Sequence, residues 1–64
     1  MGNKIVYYRE KTGLSQQTLA QKVGISRQYL SKIEKDKANP SYNIVLKISN
    51  VLGQDVNQIF LKTL

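Results

Sequence analysis

Residues 19–35 read LAQKVGISRQYLSKIEK. Apolar side chains recur there at helical spacing, at Leu19, Ala20, Val23, Leu30 and Ile33, yet Gly24 falls in the middle. Glycine takes the left-handed conformation at no steric cost, so it ends one helix and turns the chain. Only Gly24 and Ile25 separate Val23 from Ser26, a good N-cap residue. Two helices joined that tightly must cross at a steep angle. Ala20, one turn before Gly24, is small enough for a close crossing, and Val23 and Ile25 can plug the junction from the core side.

The helix after the bend divides into two faces. On a wheel of about 100° per residue, Arg27, Ser31, Lys35, Gln28 and Lys32 fall within about 140° of one another. Leu30 and Ile33 lie on the other side, and Tyr29 stands at the edge of the polar strip. That strip carries three positive charges and no carboxylate. Arginine and lysine suit guanine O6 and N7, and glutamine suits adenine N6 and N7, so these side chains are of the kind that read base edges in a major groove.

The rest of the chain follows the same helical grammar. Loop signals fall at Thr12-Gly13, at Gly24, across KDKANPS and at Gly53, and they cut the chain into five helical segments. The first spans about residues 3–12, with Ile5 and Tyr8 on one side and Arg9 beside them. The second starts at Ser15, where Leu14 and Leu19 have the spacing of a hydrophobic staple. The third starts at Ser26, and Ile25 and Leu30 repeat that staple. The fourth starts at Ser41 and carries Ile44, Val45, Ile48, Val51 and Leu52. The fifth starts at Asp55, which has capping-box spacing to Gln58, and continues with Val56, Ile59 and Phe60.

Composition narrows the function. The 64 residues suffice for one small domain, expected to span 1–64 with its helix–turn–helix at about 15–35. There is no Cys and no His, which removes disulfides, thiolate and imidazole catalysis and the usual zinc sites. No catalytic residue, metal site or cofactor is expected: the four carboxylates are scattered, and Ser15, Ser26 and Ser41 read as caps without a base to activate them. No apolar run approaches the roughly 20 residues that span a bilayer, and no signal-peptide core precedes the first charges. The chain therefore reads as soluble and intracellular, with no membrane partner and no evident small-molecule ligand. Net charge is +6, and eight of the ten basic residues precede Ala38. A polyanion is thus expected near the first half. Five capped segments differ from a membrane-active single helix, and Tyr7, Tyr8, Tyr29 and Tyr42 form no evident stacking platform for RNA.

Taken together, GLSQQTLAQKVGISRQYLSKIEKDKANPS resembles the helix-turn-helix of the phage repressor/Cro (Xre-type) family. The likeness extends through Ile44, Leu46 and Ile48 to LGQDVNQIF, over about residues 5–61. It implies an all-α, compact five-helix bundle of the lambda-repressor-like DNA-binding kind. Ser26, Arg27, Gln28, Ser31 and Lys32 would then read bases. Gln16, Tyr29, Lys35, Lys37, Asn39 and Ser41 would hold phosphates, Gln16 also bracing the start of the third helix. Arg9 and Glu34 match a pair that forms an internal ion pair in this family.

Tyr8 departs from the family, which usually has an aliphatic residue there. The chain also ends soon after the fifth helix, so it is expected to lack the ligand or cleavage domain of larger members. Val56, Ile59, Phe60, Leu61 and Leu64 offer more apolar surface than one helix can bury in its own core, so they are expected to form a dimer seam. The resemblance thus implies a homodimeric Cro/C1-type repressor of double-stranded DNA. It would be cytoplasmic, bacterial or phage-encoded, and nucleoid-associated when bound. The alternative is a DNA-binding antitoxin or accessory module whose main partner is another protein.

Overall fold

A computed structural model describes residues 3–60. Its five helices are α1 (Ile5–Lys11), α2 (Gln16–Val23), α3 (Arg27–Glu34), α4 (Tyr42–Leu52) and α5 (Val56–Ile59), with no strand among the described residues. No helix there is long and apolar enough to cross a membrane.

The starts of the helices follow from their caps. The Ser15 hydroxyl accepts the Thr18 N–H at 3.0 Å, and the Ser26 hydroxyl accepts the Tyr29 N–H at 3.0 Å. Ser41 caps α4 through the Ile44 N–H at 3.3 Å. Each bond satisfies one of the amides that a helix start leaves without an internal partner. α1 begins differently: Asn3 Oδ1 accepts the Ile5 N–H at 3.1 Å, two residues on.

The ends share one device. At the close of α1, α2, α3 and α4 a residue takes a left-handed φ: Gly13, Gly24, Asp36 and Gly53. The next amide then donates to the carbonyl five residues back. These bonds are Leu14 to Arg9 (3.0 Å), Ile25 to Ala20 (3.0 Å), Lys37 to Lys32 (2.8 Å) and Gln54 to Ser49 (3.1 Å). This is the Schellman pattern, and it reverses the chain while satisfying end carbonyls. Asp36 is the one non-glycine among them, at φ 59°. Aspartate tolerates that region better than most residues, and Asp36 Oδ1 also accepts Asn3 Nδ2 at 2.9 Å.

The core is built from one face of each helix. Ile5, Leu19, Ala20, Val23, Leu30, Ile33, Ile48, Leu52 and Ile59 are buried together. α2 packs on α3 and α4, while α4 also carries α1 and α5. Leu14 and Ile25, the expected staple residues, lie half-buried against this core.

Three expectations change in the structure. α5 is only four residues long, so the fifth segment supplies less helix than its apolar spacing suggests. Its capping box does not close: Asp55 accepts the Asn57 N–H at 3.3 Å, but the Gln58 side chain instead accepts the Tyr8 hydroxyl at 3.3 Å. That bond accounts for the tyrosine at an aliphatic position, since its ring covers the core while its hydroxyl reaches α5. Finally, Ile59 is fully buried in this chain's own core, so it cannot belong to a seam with a second chain. Leu61 and Leu64, the other tail residues expected there, lie outside the described residues.

Among the described residues Ser49 is a polar residue packed in the apolar core, 2% exposed, and its hydroxyl has no hydrogen-bond partner there. A buried hydroxyl left unpaired costs about 1–3 kcal/mol. Ser49→Ala should therefore raise the unfolding free energy by about 1 kcal/mol, as measured by urea denaturation followed by circular dichroism.

Candidate nucleic-acid interface

The candidate site is the outer face of α3 and the start of α2. The bend at Gly24, at φ 87°, places α3 against α2 with Leu30 and Ile33 inward. The opposite face is then left to solvent. Arg27, Gln28, Lys32 and Lys35 are exposed and Ser31 is half-buried. Together with Gln16 they line one shallow concavity. Three of its six side chains are cationic and none is acidic.

The acidic residue of α3, Glu34, is turned away from this surface. Its side chain is 4% exposed and lies 2.8 Å from Arg9 Nε, itself 13% exposed. Arg9 also donates through Nη2 to Glu34 Oε1 at 3.4 Å and through Nη1 to the Leu14 carbonyl at 3.1 Å. One arginine thus joins α1, the turn before α2, and α3. Gln16 Nε2 donates to Glu34 Oε1 at 2.8 Å. The carboxylate therefore fixes which end of the Gln16 amide faces it, and Gln16 Oε1 is left to accept Arg27 Nε at 3.3 Å. A chain of hydrogen bonds runs from the interior to the first residue of α3.

The remaining residues expected at the site are dispersed. Ser26 lies at the neighbouring concavity with Gln17 and Gln21, two exposed glutamines one turn apart on α2 that sequence reasoning did not select. Their signal was available, since they lie on the exposed face of the helix that precedes the bend. The Ser26 hydroxyl is already committed as an acceptor by its capping role, which leaves its proton to donate. Tyr29 is half-buried and its ring packs against the core, so only part of it reaches the surface. Lys37 and Asn39 are exposed around a separate concavity with Asp36 and Ala38, at the end of α3. Ser41 is exposed and caps α4. Among the described residues no group of three or more acidic side chains could hold a metal.

A helix-turn-helix family pattern matches residues 5–59. An uncharacterised HTH-type transcriptional regulator from Methanocaldococcus jannaschii is 43% identical over 61 residues, which cover 95% of this chain and 92% of that protein. SinR in its complex with SinI superimposes with a TM-score of 0.84 at 37% identity, over 92% of this chain and 58% of the SinR complex chain. SinR, the master regulator for biofilm formation, in complex with DNA superimposes with a TM-score of 0.77 at 40% identity, over 84% of this chain and 87% of that one.

The buried pair generates a prediction about folding. Stranding one buried charge costs about 3–5 kcal/mol, whereas replacing both partners by apolar residues is often close to neutral. Arg9→Met should thus destabilise the chain by about 3 kcal/mol, and Arg9→Met with Glu34→Leu should recover most of that loss. A double-mutant cycle in urea denaturation checks the sign of the coupling.

Proposed function

This chain belongs to the Xre/Cro-C1-type helix-turn-helix family of transcriptional regulators, and on that premise we propose that it is a homodimeric repressor reading a pseudo-palindromic operator through the major groove. The observation that carries the reading is the outward face of α3, with Arg27, Gln28 and Lys32 exposed on a helix whose acidic residue is sequestered. These three, with Ser26 and Ser31, read base edges. Gln16, Lys35, Lys37, Asn39 and Ser41, with the exposed part of Tyr29, hold the sugar-phosphate backbone, which fixes position rather than sequence. SinR, 40% identical to this chain, has been crystallised in complex with DNA, which supports the reading. Repression requires only that the bound protein occupy a promoter, so no cofactor enters. The protein acts in the cytoplasm, and on the nucleoid when bound.

One module touches few base pairs. A two-fold dimer doubles the contact and sets half-sites about 34 Å apart. Two copies of a +6 chain repel each other wherever their charges meet. The surface where they can meet is an uncharged concavity lined by Asn39, Pro40, Tyr42, Val45, Val56 and Phe60. Val56 and Phe60 are the two expected seam residues that line it, and Tyr42, 68% exposed, extends it. The concavity begins in the loop that follows α3, so pairing there would hold two recognition helices in a fixed relation.

Binding and assembly measurements test the reading. Arg27→Ala should cost about 1–3 kcal/mol of operator binding per half-site and relax selectivity at one base position. Lys35→Ala should weaken binding to all duplexes alike and flatten the salt dependence. Selection of sites from random duplexes, followed by binding titrations, separates these effects; equal losses on operator and random DNA for Arg27→Ala would remove its base-reading role. Light scattering on the purified chain should give twice the chain mass, and Phe60→Asp should return it to the monomer mass. A monomer before substitution would move the partner at this surface from a second copy to a different protein.

A further inference from the structure

The far side of α1 carries a second cationic surface. Lys4, Tyr7 and Lys11 recur there at spacings of three and four residues, and all three are exposed. Tyr7 is 55% exposed, yet its ring is not loose. The Lys11 ammonium lies 5.5 Å from the ring centroid and the Lys4 ammonium 6.0 Å. The Tyr8 ring meets it edge to face at 4.9 Å and 80°, and the Tyr8 hydroxyl is in turn held by Gln58. A cation near an aromatic face at an exposed site is attracted only weakly, so the ammonium groups keep most of their capacity to pair with an anion. Among the described residues the ion pair found is Arg9–Glu34, and it uses neither lysine.

This stripe is separate from the face of α3. Around α1, Tyr7 lies about 160° from Arg9 at roughly 100° per residue. Arg9 is the residue that points to Glu34 and so toward Gln16 and Arg27. With α3 seated on DNA, Lys4, Tyr7 and Lys11 therefore stay accessible. Glu10 is the exposed acidic neighbour on the same helix.

We propose that Lys4, Tyr7 and Lys11 form a docking surface for an acidic segment of a partner protein, bound while the α3 face holds DNA. Charge complementarity selects that occupant. A second copy would set four ammonium groups against two Glu10 carboxylates, a net repulsion. A carboxylate-bearing chain with an apolar side chain between its charges satisfies both ammonium groups and covers the tyrosine ring. The surface does not depend on the homodimer.

The test uses the full chain and a short fluorescent peptide of alternating glutamate and leucine. Titration followed by amide NMR shifts should give saturable changes centred on Lys4 to Lys11, and these should persist when duplex DNA is present. Tyr7→Ala with Lys11→Gln should weaken peptide binding about tenfold, while affinity for duplex DNA stays within about twofold, as expected for exposed side chains outside the α3 face. The amide spectrum of the variant reports whether it folds, and Lys11→Gln alone, which leaves the ring in place, should weaken peptide binding about threefold. Absence of saturable binding, changes centred on Arg27, Lys32 and Lys35, competition by DNA, or unchanged binding by the double variant would each overturn the proposal. Should the chain bind no DNA, the titration of the free chain still decides the α1 surface.

Discussion

Every helix in this protein is too short to stand alone. α1, α2 and α3 have 7, 8 and 8 residues and α5 has four, whereas isolated helices below about 12–15 residues are marginal in water. The constraint that follows is at the ends, because in so short an element most backbone groups belong to a terminus. The chain meets it with a left-handed residue after each of the first four helices and an amide bond five residues back. The same turn that satisfies the end of one helix sets the direction of the next. Gly24 does this between α2 and α3, so the exposure of the α3 polar face is a consequence of how α2 ends.

Glu34 adds the second condition. It lies on the helix that carries the cationic face, and left outward it would place a carboxylate beside Arg27 and Ser31, which lie within about 60° of it on the helical wheel. Instead the Arg9 guanidinium draws it inward, and the cost of removing that charge from water is offset by three donor groups on its two oxygens. The pair also joins α1 to α3 across 25 residues of sequence and holds the Leu14 carbonyl. Folding and the electrostatics of the outer face of α3 thus rest on the same ion pair.

Much of this was legible in the sequence because it is local chemistry. Ser15, Ser26 and Ser41 announce helix starts through their hydroxyls, and Gly24 and Gly53 announce helix ends. The bend and the polar face of α3 follow from these and from 3.6-residue periodicity. What was not legible depends on contacts distant in sequence. Gln58 has capping-box spacing to Asp55, but Tyr8, fifty residues away, takes its side chain. Ile59 reads as one of several apolar residues in a tail, and only the packing of α5 on α4 places it in the core. Asp36 reads as a loop residue, and its left-handed backbone appears only with Asn3 beside it. Tyr29 stands at the border of two faces on the wheel, and the core claims most of its ring. Ser49 repeats the lesson, since its place on an apolar face gives no warning of an unpaired hydroxyl.

The hydrogen-bond chain from Glu34 through Gln16 to Arg27 orders a side chain on a short, exposed helix. A free arginine on a surface samples many rotamers, and fixing one on binding costs about 0.5–1.5 kcal/mol. Here Gln16 Oε1 holds Arg27 through Nε, at the stem side of the guanidinium. The two terminal nitrogens make no hydrogen bond among the described residues and form the fork that suits a guanine edge. The restraint thus orients the side chain without covering the atoms proposed to read the base. Its direction is imposed from within, because the Glu34 carboxylate can accept only the nitrogen end of the Gln16 amide and so turns the oxygen end toward Arg27. A buried charge pair, often of little net value to stability, acquires a purpose at the surface by deciding the orientation of one neutral amide.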